Sequence, residues 1–407
     1  MNRKRSCLLL LIVLAMLFTT ACGSSDTPQP ENKGTLVISW SWMWGGGEEG
    51  TEDLLYDAWD EFRKENKKYN KWEIEIEEDG FGLRDITADI ILGSAGAYEE
   101  EYTEEDFFLE LSEYGAEELK THFSTSSWVY EESKIYGLPF AELTQIMSGN
   151  KAALDSINRK LPKTYDELIE IGNLFGEYSI NSDLVYMGRF VEVFVDSDKI
   201  ISEDGRKAIF NQDDTLLKLL EEQIALREAN LLTGYSAETE KISLVWQSPY
   251  FLADNNDLYF GTMIGTEESE PGYMVKEVLN LAINKNSKSK EVAYDFIKYL
   301  ALETNPRTEK TYQEEFAIME SKPRVSGVPT LRSVQEDLKA SGEEIMQVYL
   351  KQLEYTKKRT VLEMKCISEM INAFYEAVYN NKPIANALED AERQANIALT
   401  KYHRIRE

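Results

Sequence analysis

Apolar and polar positions fall into three patterns along this chain, and each predicts a different kind of element. The first pattern is a continuous run, Cys7 to Phe18, which is apolar throughout apart from the thiol that opens it. It is well short of the roughly 20 residues that a membrane-spanning helix needs. The second is a two-residue period. Thr35-Leu-Val-Ile-Ser-Trp40 is a β-rich run, and Trp72-Glu-Ile-Glu-Ile-Glu-Glu78 alternates strictly, as a strand with one buried face does. Asp89-Ile-Ile-Leu92 and Val278-Leu-Asn-Leu-Ala-Ile283 also read as strands. The third is a helical period. Leu54, Leu55, Ala58, Trp59 and Phe62 share one face of a helix expected over residues 52–67, with Thr51 as its cap and Glu52 and Asp53 in its first turn. Thr164 and Glu167 have capping-box spacing at the start of another helix. Further helices are expected over 215–232, over 289–301 and over 360–402, the last interrupted near Pro383. The strand, helix, strand order at the start of the chain predicts parallel pairing with right-handed crossovers.

Arg3, Lys4 and Arg5 precede the apolar run, and the small residues Thr19, Thr20 and Ala21 follow it. That order describes a secretory signal over residues 1–21. Cys22 then resembles the cysteine of a bacterial lipobox, although Thr19 stands where lipoboxes usually carry leucine. The resemblance implies a thiol acylated with diacylglycerol (a palmitate-type anchor) and a new amino terminus at Cys22. Residues 22–33, polar and containing Pro28 and Pro30, read as a flexible tether.

Composition narrows the partners. The net charge is −29, so phosphate backbones would be repelled and nucleic-acid binding is excluded. Wrapping onto an anionic membrane surface is disfavoured for the same reason. There are 3 cysteines: Cys7 leaves with the signal, Cys22 is the acylation site, and only Cys366 remains, so no internal disulfide is expected. Cys366 lies on an apolar helix face and reads as a buried thiol.

Four segments occur in order: Ile135-Tyr-Gly-Leu-Pro-Phe140 with Asn150-Lys151 and Pro162 to Leu168; Asp204-Gly205 to Phe210-Asn211; Leu281 to Leu300; and Gly327-Val-Pro-Thr-Leu-Arg-Ser-Val334. Together they resemble the extracellular solute-binding protein family that includes the maltose-binding type. The resemblance implies an α/β fold of two discontinuous lobes with a ligand cleft between them (the type II periplasmic-binding-protein-like arrangement). The lobes would comprise residues 34–141 plus 281–342 and residues 142–280 plus 343–407. The chain would leave the first lobe near Phe140 to Thr144, return near Leu281 and cross again around Ala340 to Tyr349.

A cleft for a polar solute needs flat aromatic faces and hydrogen-bonding groups. Trp42 and Trp44 follow the first expected strand, beside Gly45, Gly46 and Gly47. Gly96 and Tyr98 follow another, Phe140 and Glu142 stand at the first crossing, and Tyr273 precedes the return strand. Trp246, Gln247 and Tyr250 resemble a ligand-facing segment of the family's second lobe. Each has an alternative role in ordinary packing. The family's sugar binders often carry an aromatic residue where Thr360 to Cys366 has none.

Enzyme motifs are not apparent: the 2 histidines, His122 and His403, stand far apart in sequence, and no HExxH, GxSxG or phosphate-loop pattern occurs. Asp196-Ser-Asp198 lacks the later ligands of a calcium loop and reads as a solvated turn, so neither metal nor cofactor is expected. The expected function is a monomeric, membrane-anchored lipoprotein on the extracellular side. It would capture a solute, an oligosaccharide by resemblance, for the permease subunits of an ABC-type importer. Two alternatives stand beside it. One is a ligand-sensing lipoprotein for a receptor kinase. The other binds a peptide or polyamine, which the acidic run Glu48, Glu49, Glu52 and Asp53 would suit.

Overall fold

The computed structural model describes residues 33–41, 48–79, 87–94, 107–124, 134–176, 179–182, 197–212, 214–233, 241–244, 256–264, 274–275, 277–317, 327–357 and 360–406. The signal, Cys22 and nearly all of the tether lie outside the described residues, as do Trp42, Trp44, Gly96, Tyr98, Trp246, Gln247, Tyr250 and Tyr273.

Thirteen strands are described: β1 (Lys33–Ser41), β2 (Lys71–Asp79), β3 (Ile90–Ser94), β4 (Gly137–Leu143), β5 (Met147–Asn150), β6 (Ile180–Ser182) and β7 (Leu232–Thr233). They continue with β8 (Ile242–Leu244), β9 (Leu258–Gly261), β10 (Met274–Val275), β11 (Glu277–Ile283), β12 (Val328–Pro329) and β13 (Thr356–Lys357). The helices used below are α1 (Glu48–Glu65), α2 (Tyr165–Phe175), α3 (Thr215–Glu228), α4 (Lys290–Leu302) and α5 (Tyr312–Ala317). They are followed by α6 (Arg332–Ser341), α7 (Glu344–Glu354), α8 (Val361–Val378) and α9 (Ile384–Arg406).

The first sheet has the order β12-β4-β11-β3-β1-β2. β1 pairs in parallel with β2 on one side and β3 on the other, as the alternation of strands and helix predicts. Leu36 and Ile38 of β1 face the core, and Ile74 of β2 stands opposite Leu36. α1 covers this face with Leu55, Ala58, Trp59 and Phe62, all buried. It starts at Glu48, a turn earlier than expected, so Thr51 lies inside the helix and is not its cap. Glu48 and Glu49 thereby open the helix, and Glu52 and Asp53 fall in its second turn. α4 packs on the same core: Trp59 meets Phe296 edge-on with ring centroids 4.9 Å apart, and Phe62 lies 5.3 Å from Phe296.

The carboxyl-terminal half of this sheet is non-local. β11 inserts antiparallel between β3 and β4, and β12 adds at the edge beside β4. Gln313 of α5 ties them together. Its amide donates to the Ala301 and Pro139 carbonyls, and its Oε1 accepts from the Thr330 and Leu331 backbone N–H groups. At Gly327, just before β12, a Cβ would lie 2.7 Å from the Glu142 carbonyl oxygen, so only glycine allows this approach.

The second sheet has the order β7-β6-β8-β5-β9 and its own core, which includes Leu154, Leu168, Ile171, Ile180 and Ile242. Half of the predicted capping box at α2 forms: Thr164 accepts from the Glu167 N–H, while Glu167 accepts from Lys163. α8 and α9 pack on α3 around Phe210, Leu220, Phe374 and Leu388, with the break between them near Pro383 as the sequence predicts. Thr360 and Glu363 complete a full capping box at α8. Cys366 is buried in this cluster, where desolvation pushes its thiol up to about 12, with Glu363 and Glu392 adding to the shift. The segment at Asp198 is a short helix, Ser197–Ile200, that buries Ile200 instead of forming an open turn. Among the described residues no helix is long and apolar enough to cross a membrane.

Candidate functional site at the crossing between the sheets

The two sheets are joined directly where β4 ends at Leu143 and β5 begins at Met147. Because β11 is antiparallel to both β3 and β4, β4 runs in the same direction as β1, β2 and β3. The carboxyl ends of these four strands therefore lie on one edge of the first sheet. At roughly 4.8 Å per strand, the end of β3 stands about 10 Å from the crossing and that of β1 about 14 Å. Trp42 and Trp44 follow β1, and Gly96 and Tyr98 follow β3.

The second sheet presents a matching edge. β5 starts at the crossing and is antiparallel to β8 and β9. Met147 pairs with Gly261, the last residue of β9, and Ser148 pairs with Ser243, which brings Leu244 level with Met147. Ser182, the last residue of β6, pairs with Leu244. The carboxyl ends of β6, β8 and β9 thus meet at the crossing too. Trp246, Gln247 and Tyr250 follow β8, and Tyr273 immediately precedes β10, which pairs with β13. In open α/β sheets ligands bind in the crevice beyond the carboxyl ends of strands, and here two such edges share one connecting segment.

That segment, Thr144-Gln145-Ile146, is buried. α7 holds it from one side. The Tyr349 hydroxyl accepts from the Thr144 N–H at 2.9 Å, and one turn later Gln352 Oε1 accepts from the Met263 N–H, two residues after β9, at 2.7 Å. Ile146 packs with Ile345, Met346, Tyr349 and Leu350 of the same helix. β11 is in the first sheet from Glu277, so the return precedes Leu281. The chain therefore passes from the first sheet to the second at the crossing and is back in the first at β11, after β9 of the second, while α6 and α7 follow β12 of the first.

The two predicted site residues that are described behave differently. Phe140 is fully buried in the first core, edge-on to Phe316 at 5.1 Å, so its ring serves packing instead of lining an open wall. Glu142 is also fully buried beside the crossing and is hydrogen-bonded: it accepts from Ser124 Oγ at 2.9 Å and from Gln335 Nε2 at 3.2 Å. Sequence reasoning missed Thr144 and Gln145. Both are fully buried, and Thr144 Oγ1 and Gln145 Oε1 and Nε2 have no hydrogen-bond partner among the described residues. The available signal was two polar residues inside the apolar run Leu143 to Met147. His403 Nε2 donates to the Gly205 carbonyl at 2.9 Å, which gives that ring a structural task. Among the described residues no group of three or more His, Cys, Asp or Glu side chains is gathered as a metal site.

No protein-family model matches the chain, and no curated protein matches it by sequence. Solved structures do. The sugar-binding protein MalE from the phytopathogen Xanthomonas citri aligns with a TM-score of 0.69 at 15% identity, over 91% of this chain and 99% of that one. The GacH receptor of Streptomyces glaucescens, solved unliganded and with acarbose, aligns with a TM-score of 0.68 at 14% identity, over 91% and 99%. An ABC transporter solute-binding protein from Thermotoga lettingae, bound with α-D-tagatose, aligns with a TM-score of 0.66 at 17% identity, over 90% and 99%. The chain thus has the α/β, two-lobed fold of these binding proteins.

Proposed function

We propose that this chain captures a small solute of the oligosaccharide class between its two lobes and hands it to the permease subunits of an ABC-type importer. One observation carries the reading: the described carboxyl ends of both sheets converge on a single buried crossing, and Trp42, Trp44, Tyr98, Trp246 and Tyr250 follow those strand ends in sequence. The neighbours' described ligands, acarbose and tagatose, support a sugar over a charged solute. The reading is of a binding protein and not an enzyme. The first lobe runs to Leu143 and resumes at Glu277, the second takes the intervening residues and α8 and α9, and α6 and α7 connect them. A lipid on Cys22 would keep the protein at the outer face of the membrane.

A thermal-shift panel tests the capture reading. It comprises maltotriose, cellotriose, a xylo-oligosaccharide, trialanine and spermidine. A ligand present at a hundredfold its Kd stabilises by about 2.7 kcal/mol. We expect at least one of the three sugars to raise the unfolding midpoint, with trialanine and spermidine inert. A response confined to spermidine or trialanine would replace the sugar reading with the corresponding solute class.

A further inference from the structure

The crossing segment carries three buried polar atoms that the fold leaves unused, and we infer that Thr144 and Gln145 are the residues through which the crossing recognises an uncharged, hydroxyl-bearing ligand. The inference rests on the capture reading and adds to it two contact residues and the chemistry that they select.

The surrounding polar groups are paired. The Thr144 N–H donates to Tyr349, the Met263 N–H donates to Gln352, and Glu142 accepts from Ser124 and Gln335. Of this segment's side-chain polar atoms, Thr144 Oγ1, Gln145 Oε1 and Gln145 Nε2 have no partner among the described residues, although both side chains are fully buried. A buried donor or acceptor left unpaired forfeits its hydration and gains nothing in return, so native proteins keep few of them, and a ligand is one reason to keep them. The neighbours Leu143, Ile146 and Met147 are buried and apolar and offer no bond. Ile146 packs on α7.

The atoms define what they would hold. A glutamine amide offers two donors and an acceptor, and a threonine hydroxyl offers one donor and accepts as well. Neither carries charge. An ion facing them would gain no counter-charge from either side chain. Adjacent hydroxyls on a sugar ring both donate and accept, and they match an amide and a hydroxyl on consecutive residues.

Two variants test this, Gln145→Met and Thr144→Val, each close to the native side chain in size and without the orphaned polar atoms. Unfolding midpoints are measured without ligand and with maltotriose, cellotriose and the xylo-oligosaccharide, and Kd follows by calorimetry for each sugar that responds. Each variant is expected to raise the midpoint of the unliganded protein, since it removes unpaired buried atoms, and to weaken sugar binding about tenfold. A lowered midpoint in both variants would show that the atoms are bonded in the free protein and would overturn the inference. Native affinity in both would do the same while leaving the capture reading standing. A panel that shifts neither wild type nor variants would overturn both readings.

Discussion

Trp246→Ala is expected to weaken sugar binding by roughly thirtyfold or more while leaving the fold intact. Trp246 stands two residues after Leu244, the end of β8. Leu244 is level with Met147, one residue beyond the crossing. A tryptophan there can cover a sugar ring with a flat apolar face at little conformational cost. Truncating a buried aromatic hot spot in a binding site typically costs about 2 kcal/mol or more, which is roughly thirtyfold in Kd. Calorimetry with the sugar that responds most strongly in the thermal panel reads the loss, and circular dichroism confirms folding. A folded Trp246→Ala protein with native affinity would assign the ring to packing. Phe140 shows what that outcome looks like: an aromatic residue in the middle of β4, three residues before its end, whose ring packs on Phe316.

Cys22→Ser is expected to release the protein from the membrane fraction altogether. A run that reads as a secretory leader, then small residues and a cysteine, precede a polar stretch, and among the described residues no helix is long and apolar enough to cross a bilayer. The net charge of −29 adds repulsion from anionic lipid, so on the proposed reading attachment would rest on acyl chains at Cys22. Each buried methylene contributes about 0.8 kcal/mol; a single chain gives only reversible binding, and a second makes it stable. Serine offers no thiol for the diacylglycerol. Fractionation of cells expressing Cys22→Ser, followed by immunoblotting, decides the point. Retention of the variant in the membrane fraction, processed as before, would contradict the lipid assignment.

Local pattern made much of this fold legible. The alternation in β1 and β2, the apolar face of α1 and the interruption near Pro383 all come from residues close in sequence, and the structure has them where period and turn chemistry put them. α1 begins at Glu48, a turn before Thr51, although threonine is a good cap, because cap chemistry alone does not fix where a helix starts. What the sequence could not reveal is long-range. The insertion of β11 between β3 and β4 joins segments far apart along the chain. Gln313 satisfies four backbone groups from three segments. Tyr349 and Gln352 look like ordinary helix residues until their partners, the N–H groups of Thr144 and Met263, are known. The candidate site follows the same division. Aromatic residues after strand ends can be found by reading along the chain. The importance of Thr144 and Gln145 depends on partners that are missing, and a missing partner has no signature in sequence.

The central claim is that two lobes close on a solute about the crossing. Small-angle X-ray scattering, with and without a saturating amount of the sugar found in the thermal panel, tests it most directly. Closure about a hinge is a rigid-body motion, so the account predicts a smaller radius of gyration with sugar bound and an unchanged molecular mass. A radius of gyration that stays the same at saturation, with binding verified by calorimetry on the same sample, would contradict capture by closure.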